Sequence, residues 1–416
     1  MMTYTVSRRG FIATTGAAST ALLWPAGVQA QQAAINYWHT FTSQTEFAGL
    51  EAVMAMFATA HPDIALTQEN IPNPEYMAKM TAAVIAKARP DVAMVSSERF
   101  TDLAAMGALI DLTDRLDGWE RRAEFDPSRF ASITDAKGRI YGLPAFAFVD
   151  WMYYRKDWFD AAGLAAPATF DDLRTAALAL TDPAAGRFGF GMRGGPGGQS
   201  HIINVIESFG STIVNAAGIG LDRDKAIAAI EWYAGLLTKD AVVPASAAND
   251  GFRQIVEGFQ TGQTAMLWHH TGSFNDISSM LKAGVQFGTA PIPAGPEAQI
   301  ARLGYAYNSM TSDTNAEAAW EWIKFWGEPD AAIALLENTG YFPASSVAAA
   351  DPRIADNPLY APAAATLGFG IPLPAFVGYA SWSDSVVLPA FQGVLIGQMT
   401  AEAAVDEMIA GLAAAQ

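Results

Sequence analysis

Cysteine is absent from the 416 residues. That excludes disulfides, thiol nucleophiles and cysteine-ligated metals. Histidine is scarce, at five, and none falls in the H-E-x-x-H spacing of a helical zinc site. His269 and His270 are adjacent, so a strand would send their rings to opposite faces, and no third ligand is evident. No G-x-x-x-x-G-K-[ST] stretch exists to cradle a nucleotide phosphate. Gly189-Phe190-Gly191-Met192-Arg193-Gly194 fits G-x-G-x-x-G. It has no long apolar strand before it, and Pro196 and further glycines follow where a helix should open, so it reads as a loop. Ser200-His201 lacks the G-x-S-x-G elbow of a hydrolase. Neither a metal nor a cofactor is expected. Basic residues are few, 25 against 42 acidic, for a net charge of −17. Such a chain repels phosphate backbones and anionic lipid heads, which excludes nucleic acid and a bare membrane surface as partners. Beyond residue 30 no stretch offers the ~18 uninterrupted apolar residues of a membrane span.

What is present begins with an export pattern. Ser7-Arg8-Arg9-Gly10-Phe11-Ile12 is a paired-arginine box, Ala13–Trp24 is uncharged and rich in Ala and Thr, and Val28-Gln29-Ala30 is a small-x-small cleavage site. Residues 1–30 are therefore expected to be a twin-arginine signal peptide, cleaved near Ala30, which sends the chain to the periplasm. Losing Arg8 and Arg9 makes the exported chain more acidic still. Aromatic residues are plentiful: eleven Trp, twelve Tyr and twenty-three Phe. Trp38, Trp151, Trp268 and Trp382 each sit beside polar residues. A ring with one apolar face and one N–H donor suits a sugar, which has apolar C–H faces and a polar rim.

The patterning alternates strands with helices. Ala34–Trp38 is a short β run, and Phe47, Leu50, Val53 and Phe57 recur at helical spacing up to His61-Pro62. Ile64–Leu66 opens a second strand, a helix starts near Glu75, and Asp91–Val95 is a third strand. This order predicts a parallel sheet covered by helices, with ligand at the carboxyl ends of its strands. A second α/β region follows. Phe146–Tyr154 is a long strand, and Thr169 with Asp172 forms a capping-box pattern opening a helix to about Leu180. Helices are expected near Ile202–Phe209, Lys225–Leu237, Phe252–Phe259, Glu317–Trp326, Val386–Ile396 and Ala401–Ala414. Strands are expected at Thr264–Trp268 and Val285–Thr289, and an irregular crossing at Pro352–Pro374.

Several stretches in order carry a resemblance: "INYWHTFT", "MFATAHPDI", "YMAKMTAAVIAKARPDVAMVSS", "GRIYGLPAFAFVDWMYYRKDWFDAAGLAAPATFDDL", "GFQTGQTAMLWHHTGSF", "AAWEWIKFW" and "TGYFPASS". Together they resemble the family 1 extracellular solute-binding proteins, the receptor components of carbohydrate-type ABC importers. Arg155 and Phe170 stand where that family has Asn and Trp. The resemblance implies an α/β, two-lobed periplasmic-binding-protein fold of type II character, with a ligand cleft between lobes joined by hinge crossings. Lobe one would span 33–146 plus 306–343, and lobe two 147–305 plus 344–416. The partners it implies are a small carbohydrate and the ABC permease, with the receptor itself a monomer and not an enzyme.

Carried onto this sequence, the family's ligand loops place His39, Thr40 and Gln44 after strand one and Ser96 and Ser97 after strand three. Asp150 and Trp151 lie on the crossing strand, where pleating lets one of them reach the cleft. Gly194 and Gly195 form a backbone-rich loop, Trp268 and His269 follow a lobe-two strand, Tyr307 and Asn308 mark a return crossing, and Tyr341 and Trp382 complete the set. Trp268 and Trp382 are the expected stacking rings; replacing either by alanine should weaken binding by at least about tenfold without unfolding. Two alternatives stay open. An anionic sugar or glycerol derivative would use the glycine loop as a nest, with Ser96, Ser97, Arg193 and Arg302; "YWHT" also resembles the glycerol-phosphate receptors of this family. A secreted glycoside hydrolase would need two carboxylates ~5–10 Å apart, for which Glu98 and Asp150 are the chief candidates.

Overall fold

The computed structural model describes residues 33–215, 218–366, 369–374, 376 and 378–415; the expected export signal lies outside them. Ten strands are present among the described residues: β1 Ala33–His39, β2 Ile64–Asn70, β3 Val92–Ser96, β4 Leu143–Tyr154, β5 Val214–Asn215, β6 Gly218–Ile219, β7 Met266–His270, β8 Gly288–Ala290, β9 Leu303–Met310 and β10 Phe342–Pro343. The main sheet runs β10-β4-β9-β3-β1-β2, and β7 and β8 both pair with β4. The strand–helix–strand opening gives parallel pairing of β1 with β2 and β3, as expected, while β9 runs antiparallel to β3 and β4.

The twelve-residue β4 organises the molecule. Its first half, Leu143–Val149, pairs with β9. Its second half, Asp150–Tyr154, pairs with β7 and β8. The change of partner falls at Asp150, whose N–H donates to the Arg302 carbonyl at 2.9 Å. β4 thus crosses from one sheet region to another, β9 begins one residue after Arg302, and β10 joins at Phe146 and Ala147.

Two apolar cores flank this crossing. The first gathers Tyr37, Val53, Phe57, Val95, Trp322 and Trp326; the second gathers Phe170, Phe190, Ile203, Tyr233, Trp268 and Val405. Alternation along β4 feeds both: Trp151 and Tyr153 belong to the first and Met152 to the second. The first core follows that face past the crossing to Phe259, Phe274 and Tyr360. Packing therefore divides by the face of β4 as well as by position in the sequence.

Capping residues start the helices that matter for the site. Ser43 accepts the Glu46 N–H and Glu46 answers at the cap, opening the helix Gln44–Ala60. Thr169 and Asp172 do the same for Phe170–Leu180, the expected box with Asp in place of Glu. Pro352–Pro374 is not irregular throughout. It contains the helices Pro352–Ala355 and Ala361–Thr366, too short for a 3.6-residue period to register in the sequence. The strand expected to end at Trp268 continues through both histidines to His270.

Candidate ligand-binding site

A cavity of about 270 Å³ lies where these elements converge. Thr40 to Ser43 reach it from the end of β1, Glu46 from the first turn of Gln44–Ala60, and Met94 and Phe148 from β3 and β4. Arg193, Phe252, His270, Gly272 and Asp276 approach from the segments around β7, and Asn73 and Tyr341 complete the lining.

Glu46 fixes one wall. Its Oε2 accepts the N–H groups of Thr42 at 2.6 Å and Ser43 at 2.7 Å, and its Oε1 accepts the Tyr341 hydroxyl. Tyr341 in turn stacks on Phe146 at 4.5 Å and 9° and meets Phe148 edge-on at 5.0 Å. Phe148 packs against His270 at 5.6 Å, and Phe252 stacks on His270 at 5.8 Å and 14°. The result is an aromatic rim interrupted by charged and hydroxyl groups, the chemistry that holds C–H faces and hydroxyls together.

Burial shifts the other ionisable groups in and beside the cavity. Burial pulls the Arg193 guanidinium down to about 10 against the attraction of Asp150. Burial pushes the Asp150 carboxyl up to about 6 although Arg302 and Arg193 oppose it. His270 falls to about 3, first by burial and then by Arg193. Its Nδ1 accepts the Gly272 N–H at 3.1 Å, so the neutral ring carries its proton on Nε2. Asp276 is raised by burial, with the Thr45 hydroxyl 3.4 Å away.

Of the residues expected at the site, Thr40 and Tyr341 line the cavity. Gln44 lines an adjoining opening that shares Ser43, Phe252 and Asp276. Asp150 faces the arginines, while Trp151 on the opposite pleat is fully buried against Tyr153, Phe274 and Tyr360.

The other expected residues are placed elsewhere. His39 is fully buried, bonded to Gln68 at 2.8 Å and to the Phe41 N–H at 3.3 Å; it shapes the loop from beneath. Trp268 lies in the second core, and Trp382 is buried with its Nε1–H donated to the Met408 carbonyl at 2.9 Å. His269 is buried on Ser273 at 2.8 Å. Tyr307 donates to the Arg129 carbonyl and Asn308 accepts from Tyr37, both at 2.8 Å, so these two tie elements of the first core together. Ser97 is buried at the start of a helix, Ser96 ends β3, and neither lines the cavity. Large aromatic rings bury the most area, so core packing takes them even where the flanking residues are polar.

The glycine loop is not a nest. The N–H groups of Gly194 and Gly195 donate to the Ala247 and Asp250 carbonyls, each at 2.9 Å. A Cβ on Gly194 would lie 2.5 Å from the Ala247 oxygen, and one on Gly195 2.4 Å from the Asn249 oxygen. These glycines permit close backbone packing. Gly194→Ala is expected to cost about 1–3 kcal/mol through overpacking, read as a lowered urea midpoint; an unchanged midpoint would show that the loop yields freely. Arg302 is also engaged, by Glu207 and the Pro372 carbonyl.

Phe148, Phe252, Glu46, Asp276 and His270 were not among the expected residues. Two carried a usable signal. Ser43-x-x-Glu46 is a capping box that pins the Thr40–Ser43 loop, and Phe148 is two residues from Asp150, hence on its face.

The family model for bacterial extracellular solute-binding proteins matches residues 42–333. The chain belongs to that family. A putative binding protein of Brucella abortus (strain 2308) is 25% identical to this solute-binding protein over 371 residues, covering 86% of this chain and 88% of the relative. The maltose-bound MalE3 of T. maritima superposes with a TM-score of 0.82 at 26% identity, covering 92% of this chain and 99% of that one. UgpB of Mycobacterium tuberculosis, solved with glycerophosphocholine, gives 0.79 at 21% identity, over 91% and 97%. The fold is the two-lobed α/β clamp, and the family is one of binding proteins rather than enzymes. Among the described residues of this solute-binding protein no cluster of three or more acids and histidines could hold a metal, and no helix is long and apolar enough to cross a membrane.

Proposed function

We propose that this protein is the periplasmic receptor of an ABC importer, capturing a carbohydrate in the cleft and delivering it to the membrane permease. The observation that carries this reading is the cavity beside the β4 crossing, rimmed by Phe148, Phe252 and Tyr341 and furnished with Arg193, Asp276 and the Thr40 loop. The similarity to a maltose-bound protein supports it. So does a 23% identity to the maltotriose-binding protein of Pyrococcus abyssi (strain GE5 / Orsay). In this reading the twin-arginine signal exports the chain, which works as a monomer without a cofactor. The lobes divide at about 33–146 plus 306–343 and 147–305 plus 344–416. Closure bends the chain at Val149–Asp150 and Arg302–Leu303, and the permease responds to the closed form that ligand favours.

The test is a thermal-shift screen of residues 31–416 against sugars, polyols and their acidic derivatives. A ligand at ~100 times its Kd stabilises by about 2.7 kcal/mol, a visible shift. Sugar turnover by the isolated protein would sink the receptor reading in favour of a hydrolase.

A further inference from the structure

One spot on the cavity wall is out of character with so acidic a chain. Three of the five histidines, His201, His269 and His270, lie within electrostatic reach of Arg193. The guanidinium lies against Gly197, where a Cβ would fall 1.8 Å from Nη2. Its Nε donates to the Pro196 carbonyl at 2.8 Å. Its two Nη groups find no hydrogen-bond acceptor among the described residues, yet the side chain lines the cavity. Beside it the Nε2–H of His270, fixed by the Gly272 contact, likewise has no acceptor among the described residues. A wall with this many unmet donors calls for a group that only accepts.

The acids lining the cavity, and Asp150 beside it, do not meet that need. Glu46 is saturated by Thr42, Ser43 and Tyr341. Asp276 is approached by Thr45. Asp150 lies between Arg193 and Arg302 without a hydrogen bond to either. Arg302 is committed to Glu207.

We propose that the cavity selects a polyhydroxylated ligand bearing an oxyanion, a carboxylate, sulfonate or phosphate, held by the Arg193 guanidinium and the Nε2–H of His270. This rests on the reading of the cavity as a carbohydrate site. The glycine-loop nest and Arg302 play no part in it. The ligand's hydroxyls face the Thr40 loop and the aromatic rim.

Binding of such a group should draw in a proton. The titratable or charged groups facing Arg193 are Asp150 on β4, His269 and His270 on β7, His201 on the helix Gly198–Ser208 and Tyr233 on Arg223–Thr238. An added negative charge favours the protonated forms of Asp150 and the histidines. The complex then holds more protons than the free protein, so affinity rises as pH falls from 8 toward 5. A neutral sugar has no reason to recruit a proton.

The experiment is calorimetric titration of the full mature chain with matched pairs: glucose against glucuronate, glucose 6-phosphate and 6-deoxy-6-sulfoglucose, and glycerol against glycerol 3-phosphate. At least one oxyanion should bind about tenfold or more tighter than its neutral partner, with heats that depend on the buffer's ionisation enthalpy. Arg193→Gln should lose roughly 10- to 100-fold of that affinity, the range for charge-assisted hydrogen bonds, with Arg193→Lys intermediate and serving if the Gln variant misfolds. Neutral members binding as tightly as their acids, with no proton uptake and no effect of Arg193→Gln, would overturn the proposal and leave the carbohydrate reading standing. No binding by any member would overturn both.

Discussion

Replacing Trp268 by alanine is expected to lower stability by about 3–5 kcal/mol, so that loss of binding accompanies loss of fold. The ring is 3% exposed. It lies parallel to Tyr233 at 5.6 Å and 3°, close to Phe170 at 5.6 Å and 28°, with Phe190 edge-on at 5.2 Å. Tyr233 continues the column to Phe391 at 5.6 Å and 10°. Alanine would leave a hole in the middle of this column, in the core that β7 shares with Met152 of β4. Urea unfolding monitored by far-UV circular dichroism measures the loss. A variant of wild-type stability that no longer binds sugar would instead place the ring in the site and restore the expectation drawn from the sequence. Trp382, buried beside Phe376 and Tyr379 and bonded to Met408, should behave like Trp268.

The two tryptophans show which inferences the sequence supports. Strand and helix positions were legible because they rest on local periodicity and capping. Ala34–Trp38, Phe146–Tyr154 and the Thr169 box each appear within a few residues of where they were expected. The direction of a side chain at a strand end is set by register, which is not local. Pairing of Asp150 with His270 and of Trp151 with His269 sends His270 to the cavity and His269 into the interior. The sequence reading aimed His269 at the cavity where the structure aims His270, a one-residue shift of the kind that period-2 pleating produces. Gly194 and Gly195 fail differently: a glycine loop that presents N–H groups and one that admits a neighbouring backbone have the same sequence, and only the 2.9 Å bonds to Ala247 and Asp250 separate them. Thr40 lines the cavity because the loop directly after a parallel strand lies at the carboxyl edge of the sheet whatever the register.

Arg302→Met is expected to lower stability by about 3–5 kcal/mol. Arg302 is 6% exposed. Its Nη2 binds Glu207, its Nη1 donates to the Pro372 carbonyl at 2.9 Å, and its own carbonyl accepts the Asp150 N–H where β4 changes partner. Removing the guanidinium leaves the Glu207 carboxylate, whose side chain is only 11% exposed, as an uncompensated buried charge. Burial already raises the Glu207 carboxyl even with Arg302 in place. Without that partner its pKa climbs further above the unfolded value. The stability it allows is then present while it is protonated and lost as pH rises through the folded value, so the deficit of the variant should grow from pH 5 to pH 8. Arg302→Met combined with Glu207→Leu removes the orphaned charge and should recover most of the loss, because an apolar pair of similar volume is often no less stable than a buried ion pair. Urea denaturation of the wild type, both single variants and the double variant at the two pH values closes the cycle. If the double variant is no more stable than Arg302→Met, the loss arises at the Pro372 contact that ties the crossing to the 369–374 segment, and the ion pair is incidental.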